Sequence, residues 1–228
     1  MIETGWADVS GKFSNPNVKA VFSYKSFPTE GIEGRRQLAQ QSGFISQNLI
    51  VPKQTHSNCV SYLNDFGRVD ECDGIFSSNS DVVCSIQVAD CLPIYFAHSS
   101  KPFVGLVHAG WRGLVNGILE NSAQLILQHT TNKDKIDIWI GPSIQFCCFE
   151  VGDDVIHKFE PSYRISKGEG KYKINLQKIA RDTLINAGFN DIKIQNSEDC
   201  TFCLEPTFHS YRRQGKKAGR MIGLIGIQ

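Results

Sequence analysis

No apolar stretch in this sequence is long enough to span a bilayer, which excludes a helical membrane protein. The opening residues, MIETGWADVSGKF, carry no basic segment followed by an apolar run, so no secretory leader is expected. Charge of one sign is also missing. Lys and Arg number 24 against 23 Asp and Glu, a net charge of +1 that excludes bulk electrostatic binding to nucleic acid or to a membrane surface. The one basic cluster, Arg212-Arg213 with Lys216, Lys217 and Arg220, is short and broken by glycine, and reads as a solvated loop. There is no internal repeat, no low-complexity segment and no Pro-, Gly- or Ser-rich linker, so the 228 residues are expected to form a single domain, 1–228. Eight cysteines without a leader and without a repeating framework point to reduced thiols and a cytoplasmic protein.

Several catalytic signatures are absent as well. There is no P-loop, no GxGxxG fingerprint and no Gly-x-Ser-x-Gly elbow. The zinc deaminase signature is missing, since Ser57-Asn58 follow His56. Six histidines with no His-x-His pair exclude a multi-copper cluster built in the ordinary way.

What is present is concentrated between Val82 and Leu125. Val82–Val88 and Phe103–Val107 are continuous runs of β-branched, aromatic and small residues, the pattern of strands covered on both faces. Each ends in polar chemistry: Asp90-Cys91 after the first, His108 after the second. Ala109-Gly110-Trp111-Arg112-Gly113 then turns into a helix marked by Val115, Ile118, Leu119, Leu125 and Ile126. Functional groups at strand ends beside a helix start are where α/β proteins place their sites.

Further strands are expected at Val18–Tyr24, Leu49–Pro52, Cys59–Leu63, Gly74–Phe76, Pro93–His98, Lys135–Ile140, Asp191–Gln195 and Met221–Ile227. Helices are expected over Glu30–Gly43, Asp153–Phe159 and a segment capped by Asn175 and stopped by Gly188. Asp65–Asp73 reads as an acidic loop and Tyr163–Lys173 as a mobile one. Strands and helices mix without strict βαβ alternation, so a mixed-sheet α/β or α+β fold is expected rather than a doubly wound one.

His56, Cys91 and His108 are the candidate metal ligands. Two imidazoles and a thiolate suit zinc or copper, and three protein ligands leave a fourth position open, as in catalytic zinc sites. From spacing alone, a buried cysteine and two satisfied core histidines are the favoured reading, because free cysteine is among the most buried residue types. Arg112 at the Gly110–Gly113 turn offers a fork for an anion, and reads as well as a surface arginine on a tight connection. Asp90, next to Cys91, is placed to orient a ligand, shuttle a proton or cap a turn. Cys200-Thr201-Phe202-Cys203 is a lone CxxC; Cys147-Cys148 has the wrong spacing to complete a structural zinc site, so these read as packed cysteines.

Five segments occur in order: Lys53-Gln54-Thr55-His56; Ala89-Asp90-Cys91-Leu92-Pro93; His108-Ala109-Gly110-Trp111-Arg112-Gly113; Gly141-Pro142-Ser143-Ile144 with Cys147-Cys148-Phe149-Glu150-Val151-Gly152; and Ser210-Tyr211-Arg212-Arg213. Together they resemble the laccase-domain family, the YfiH-type "polyphenol oxidase" proteins described as purine nucleoside phosphorylases. The resemblance runs from about Leu49 to the C-terminus. It implies one α/β domain of layered mixed sheets flanked by helices. It implies a metal site at His56, Cys91 and His108, filled by zinc or copper, and catalysis there with Arg112 and Asp90 toward substrate and phosphate. The implied activity is phosphorolysis of adenosine, inosine and methylthioadenosine, with adenosine deamination as a second activity. Two other readings stand beside it: a copper-dependent polyphenol oxidase, and a cysteine hydrolase with Cys91 as nucleophile and His108 as base. A non-catalytic metal-storage module is a further one.

Overall fold

The computed structural model of the chain describes residues 5–130 and 132–228. Two six-stranded mixed sheets form its centre. In the first, the spatial order is Trp6–Asp8, Val18–Ser23, Met221–Ile227, Val83–Val88, Leu49–Pro52 and Gly67–Val69. In the second it is Ile194–Asn196, Ile136–Ile140, Leu92–His98, Val104–Ala109, Gly74–Ser77 and Val60–Tyr62. A smaller antiparallel sheet holds Glu150–Gly152, Lys171–Ile174 and Arg164–Gly168.

The continuous apolar runs are explained by layering. Along Leu92–His98, Leu92, Ile94 and Phe96 face one buried layer, while Tyr95 and Ala97 face another. The inner layer joins the two large sheets: Ala20, Phe22, Ile50, Cys84, Ile86 and Ile225 from the first meet Ile75, Tyr95, Val104, Leu106 and Trp139 from the second. The buried Tyr95 hydroxyl donates across this layer to Val21 O at 3.0 Å. On the outer face of the second sheet, the helices Ile118–His129 and Leu176–Asn186 contribute Ile118, Leu119, Ala123, Ile126, Leu176, Ala180 and Leu184. On the outer face of the first, the helix Gly31–Gln41 packs Leu38 and Ala39 against Val21, Leu224 and Ile222. The result is helix, sheet, sheet, helix, a layered sandwich of mixed sheets flanked by helices, as the sequence leads one to expect. Among the described residues, no helix is long and apolar enough to cross a membrane.

Four local expectations are corrected. The helix after Gly110 is two helices, Trp111–Val115 and Ile118–His129, because Gly117 takes a left-handed φ of 89° between them. Val115 therefore leaves the apolar stripe and is exposed. The acidic segment contains the strand Gly67–Val69, paired parallel to Leu49–Pro52. The Lys- and Gly-rich segment is the hairpin Arg164–Gly168 with Lys171–Ile174. Asp191–Lys193 is a 3-10 turn, and only Ile194–Asn196 pairs as a strand. Polar, charged hairpin residues lack the apolar alternation by which a sequence announces a strand.

Candidate metal centre

The three distant candidates meet at the seam between the two large sheets. His56 lies just beyond the strand Leu49–Pro52 of the first sheet. Cys91 lies in the turn that carries the chain from Val83–Val88 in the first sheet to Leu92–His98 in the second. His108 sits within Val104–Ala109, opposite Pro93, rather than after that strand. The ligand atoms of His56, Cys91 and His108 all lie within 4.8 Å of one another, and the two imidazole rings meet edge to face at 4.8 Å.

A buried carboxylate, which the sequence does not single out, holds the cluster. Asp73 Oδ1 accepts from His108 Nδ1 at 2.7 Å, which leaves His108 Nε2 as the free ring nitrogen. Asp73 also accepts from the backbone N–H groups of Thr55, His56 and Ser57 and from the Ser57 hydroxyl, so it fixes the loop on which His56 turns through a φ of 60°. In sequence, Asp73 is one acid among Asp70, Glu71 and Asp73, with nothing to mark it. Gly110 completes the packing: a Cβ there would stand 3.0 Å from Cys91 Sγ and 3.0 Å from His56 Cδ2.

The electrostatics are those of a ligand set. Burial pushes the Cys91 thiol up, but the His108 charge and hydrogen bonds to His108 and His56 prevail and bring it down to about 6. Burial disfavours the charged His108, yet the Cys91 thiolate and the Asp73 carboxylate outweigh it and raise the imidazole to about 9. Burial acts upward on Asp73 too, and is overcome by His108 and Ser57, which hold its carboxyl well below the usual range. A thiolate, two imidazoles and a carboxylate behind one of them fit a zinc or copper ion with an open position.

The cluster forms part of the wall of a cavity of about 620 Å³, ample for a nucleoside-sized molecule. Trp111, Phe149 and Tyr211 give it aromatic faces, and Arg35, Arg112, Arg212 and Arg220 give it cations, against Asp90 as the one lining acid among the described residues. Arg35 is buried with no carboxylate partner among the described residues. Its guanidinium donates to Ser85 O and Oγ and to Gln54 Oε1, and burial lowers it to about 10, still charged at neutral pH. Arg112 is exposed and lies over the Trp111 ring at 4.3 Å. Asp90, at a φ of 82°, lines the cavity while its carboxylate accepts from Thr201 Oγ1, Ser210 Oγ and Arg212 N at 2.6, 3.0 and 2.7 Å. The Ser210–Arg213 segment is thereby tied to the cavity rim, and Ser210 also caps the short helix Tyr211–Gln214.

The cysteine pairs of the sequence do not stay apart. Cys147, Cys148, Cys200 and Cys203 bring their sulfurs within 4.8 Å of one another, which corrects the expectation of separately packed cysteines.

A layered α/β sandwich with a His-Cys-His cluster on an arginine-lined cavity defines a class of domain. Residues 10–228 match the family model described as multi-copper polyphenol oxidoreductase laccase, and the chain belongs to this laccase-domain family. The purine nucleoside phosphorylase YlmD of Geobacillus stearothermophilus is 32% identical over 217 residues, 87% of this chain and 79% of that protein. The adenosine deaminase RL5, from an unknown prokaryotic organism, is 32% identical over 206 residues, 83% of this chain and 79% of that protein. The crystal structure of YlmD from Geobacillus stearothermophilus superposes with a TM-score of 0.91 at 28% identity, covering 100% of this chain and 98% of that one.

Proposed function

We propose that this chain, acting as one domain, is a metal-dependent purine nucleoside phosphorylase of the cytoplasm, taking adenosine, inosine or methylthioadenosine with inorganic phosphate. The observation that carries the reading is the meeting of His56, Cys91 and His108 on a 620 Å³ cavity whose guanidinium groups outnumber its acids. A phosphate dianion needs such an excess of cations, and a nucleoside needs aromatic faces and about this volume. The likeness to proteins named purine nucleoside phosphorylase supports the same reading.

In phosphorolysis, a phosphate oxygen bonds to the ribose C1′ as the bond from C1′ to the base nitrogen breaks. Positive charge develops on the sugar, so an anion held against it lowers the barrier. Arg35 and Arg112 hold the phosphate; Arg35 brings a buried charge that no acid among the described residues neutralises. Trp111, Phe149 and Tyr211 pack the purine and ribose and keep water from C1′. His56, Cys91 and His108 would hold a zinc or copper ion, which would supply Lewis acidity toward the departing base. Asp73 orients His108 from behind. Asp90 acts on substrate by fixing the segment that carries Tyr211 and Arg212.

Adenosine deamination at the same centre is a second reading, favoured by the likeness to RL5. One assay separates the readings. Zinc-loaded protein is incubated with adenosine, with and without phosphate, and the products are resolved chromatographically. Phosphate-dependent release of adenine and ribose 1-phosphate is expected. Inosine formed without phosphate identifies the deaminase, and no base release from any purine nucleoside rejects the phosphorylase. A copper-loaded sample with a phenol substrate tests the oxidase.

A further inference from the structure

We propose a second metal site, a structural zinc held by the four thiolates of Cys147, Cys148, Cys200 and Cys203. It shares no residue with the His56, Cys91 and His108 cluster, and stands whether or not the chain is a phosphorylase. The sulfur of Cys148 lies 3.4 Å from that of Cys147 and 3.3 Å from that of Cys203, and the Cys147 and Cys203 sulfurs are 3.7 Å apart. Four sulfurs around zinc at about 2.3 Å are separated by roughly 3.8 Å in a tetrahedron, whereas a disulfide brings two to about 2.05 Å. The four therefore sit near the spacing of a shared cation, and the group is closed, with no position left for a reactant.

The backbone is arranged for it. Cys200 and Cys203 form a CxxC turn, with Leu204 N donating to Cys200 O at 3.0 Å. Cys147 and Cys148 are neighbours in sequence, and the turn that holds them is closed by Cys148 N and Phe149 N, both donating to Gln145 O at 2.9 Å. Gln145 N donates to Cys200 Sγ at 3.4 Å, the kind of amide contact that supports a metal-bound thiolate. The turns are joined next to the cluster by the Ser143–Cys200 bridge and by Thr201 N donating to Ser143 O at 3.1 Å. Zinc binding releases the thiol protons to solvent and cross-links two loops at their outer ends, where Cys147 and Cys203 are exposed. Both loops shape the cavity: Ile144 and Phe149 line it on either side of the vicinal pair, and Thr201, inside the CxxC turn, donates to Asp90. The ion would act as a staple for that wall.

The test counts metal and thiols in reduced protein prepared with zinc. Two zinc ions per chain are expected. A His56→Ala/Cys91→Ala variant is expected to retain one, and its cobalt form to show the strong sulfur-to-metal absorption of four thiolates. A Cys147→Ser/Cys203→Ser variant is expected to lose that ion and that spectrum. Wild-type protein needs no folding control: alkylation and peptide mapping should find Cys147, Cys148 and Cys203 protected with zinc and labelled after chelation. Equal labelling with and without chelator overturns the proposal. So does a His56→Ala/Cys91→Ala variant that folds without metal, or a mass two hydrogens short that reveals a disulfide in the reduced sample.

Discussion

Asp73 and His108 are joined by a 2.7 Å hydrogen bond inside the protein, with Asp73 wholly buried and His108 nearly so. The carboxylate fixes which ring nitrogen is left for a metal and holds the His56 loop through three backbone N–H groups. Asp73→Asn keeps the shape and removes the charge. Metal affinity, measured by competition with a chromophoric chelator, is expected to fall roughly 10- to 100-fold, the usual cost of losing a carboxylate behind a metal-bound histidine. An unchanged affinity would show that the backbone alone positions the ring.

Gly110 is predicted to be as necessary as the ligands themselves. An alanine there places its Cβ 3.0 Å from both Cys91 Sγ and His56 Cδ2, so one ligand must shift by a few tenths of an ångström. Gly110→Ala should weaken zinc binding about tenfold or more while leaving the sheets intact, since positions a few tenths out of place lose much of a preorganised site. Chelator competition measures the first effect and far-UV circular dichroism the second.

These two residues mark the limit of what the sequence discloses. His56, Cys91 and His108 stand out because each is polar next to an apolar strand, and the sandwich brings them together. The strands Val83–Val88, Leu92–His98 and Met221–Ile227 are legible for the same reason: apolar on both faces, they must be covered twice. Asp73 is hidden among other acids, and the sequence marks Gly110 as part of a turn into a helix but not as the residue that packs against Cys91 and His56. Their roles arise only from tertiary contacts. The hairpin at Arg164–Ile174 escapes notice because its strands pair at the surface with charged side chains, and backbone pairing leaves no compositional trace. Spacing along the chain does not disclose the four-cysteine group, because Ser143–Cys200 pairing closes a gap of more than fifty residues.

Cys91 should behave as a thiolate near neutral pH once metal is removed. An ordinary thiol near 9 is drawn to about 6 here, burial being outweighed by His108 and His56. Its folded value is depressed, so the thiolate persists as pH falls and is lost only below about 6. Alkylation of Cys91 by iodoacetamide in chelator-treated protein should rise with pH through about 6 and then level off. In His108→Gln the inflection should move up, because burial then acts without the compensating imidazolium. Zinc should suppress labelling at every pH while supporting phosphorolysis; a cysteine hydrolase would show the opposite, inhibition by metal.

Asp90 is expected to matter first for structure. It holds a left-handed φ and accepts from Thr201, Ser210 and Arg212. Asp90→Asn tolerates the backbone but weakens three charge-assisted bonds. A loss of about 1–3 kcal/mol is expected, or roughly 3–10 °C in melting temperature for a chain of this size, read by calorimetry. The Michaelis constant for nucleoside should rise as well, because Tyr211 and Arg212 belong to the released segment. A variant with wild-type melting and a changed constant would place the carboxylate on substrate instead.

Substitution of Arg112 is expected to separate anion binding from the rest of the proposed reaction. Its guanidinium is exposed, lies 4.3 Å over the Trp111 ring and faces the cavity without an acidic partner among the described residues. A hydrogen-bonded ion pair to phosphate is worth about 1.5–3 kcal/mol, and solvent exposure favours the lower end. Arg112→Gln should therefore raise the Michaelis constant for phosphate roughly tenfold, with a much smaller change for nucleoside. High salt should erode the wild-type advantage, since screening acts on the exposed charge. Arg35→Gln should behave differently: its cation is buried, so its contribution to phosphate binding should resist salt, and the variant should also lose stability through the vacated Ser85 contacts. Steady-state kinetics at low and high ionic strength distinguish the two; equal salt sensitivity of both would mean that only one of them reaches the phosphate.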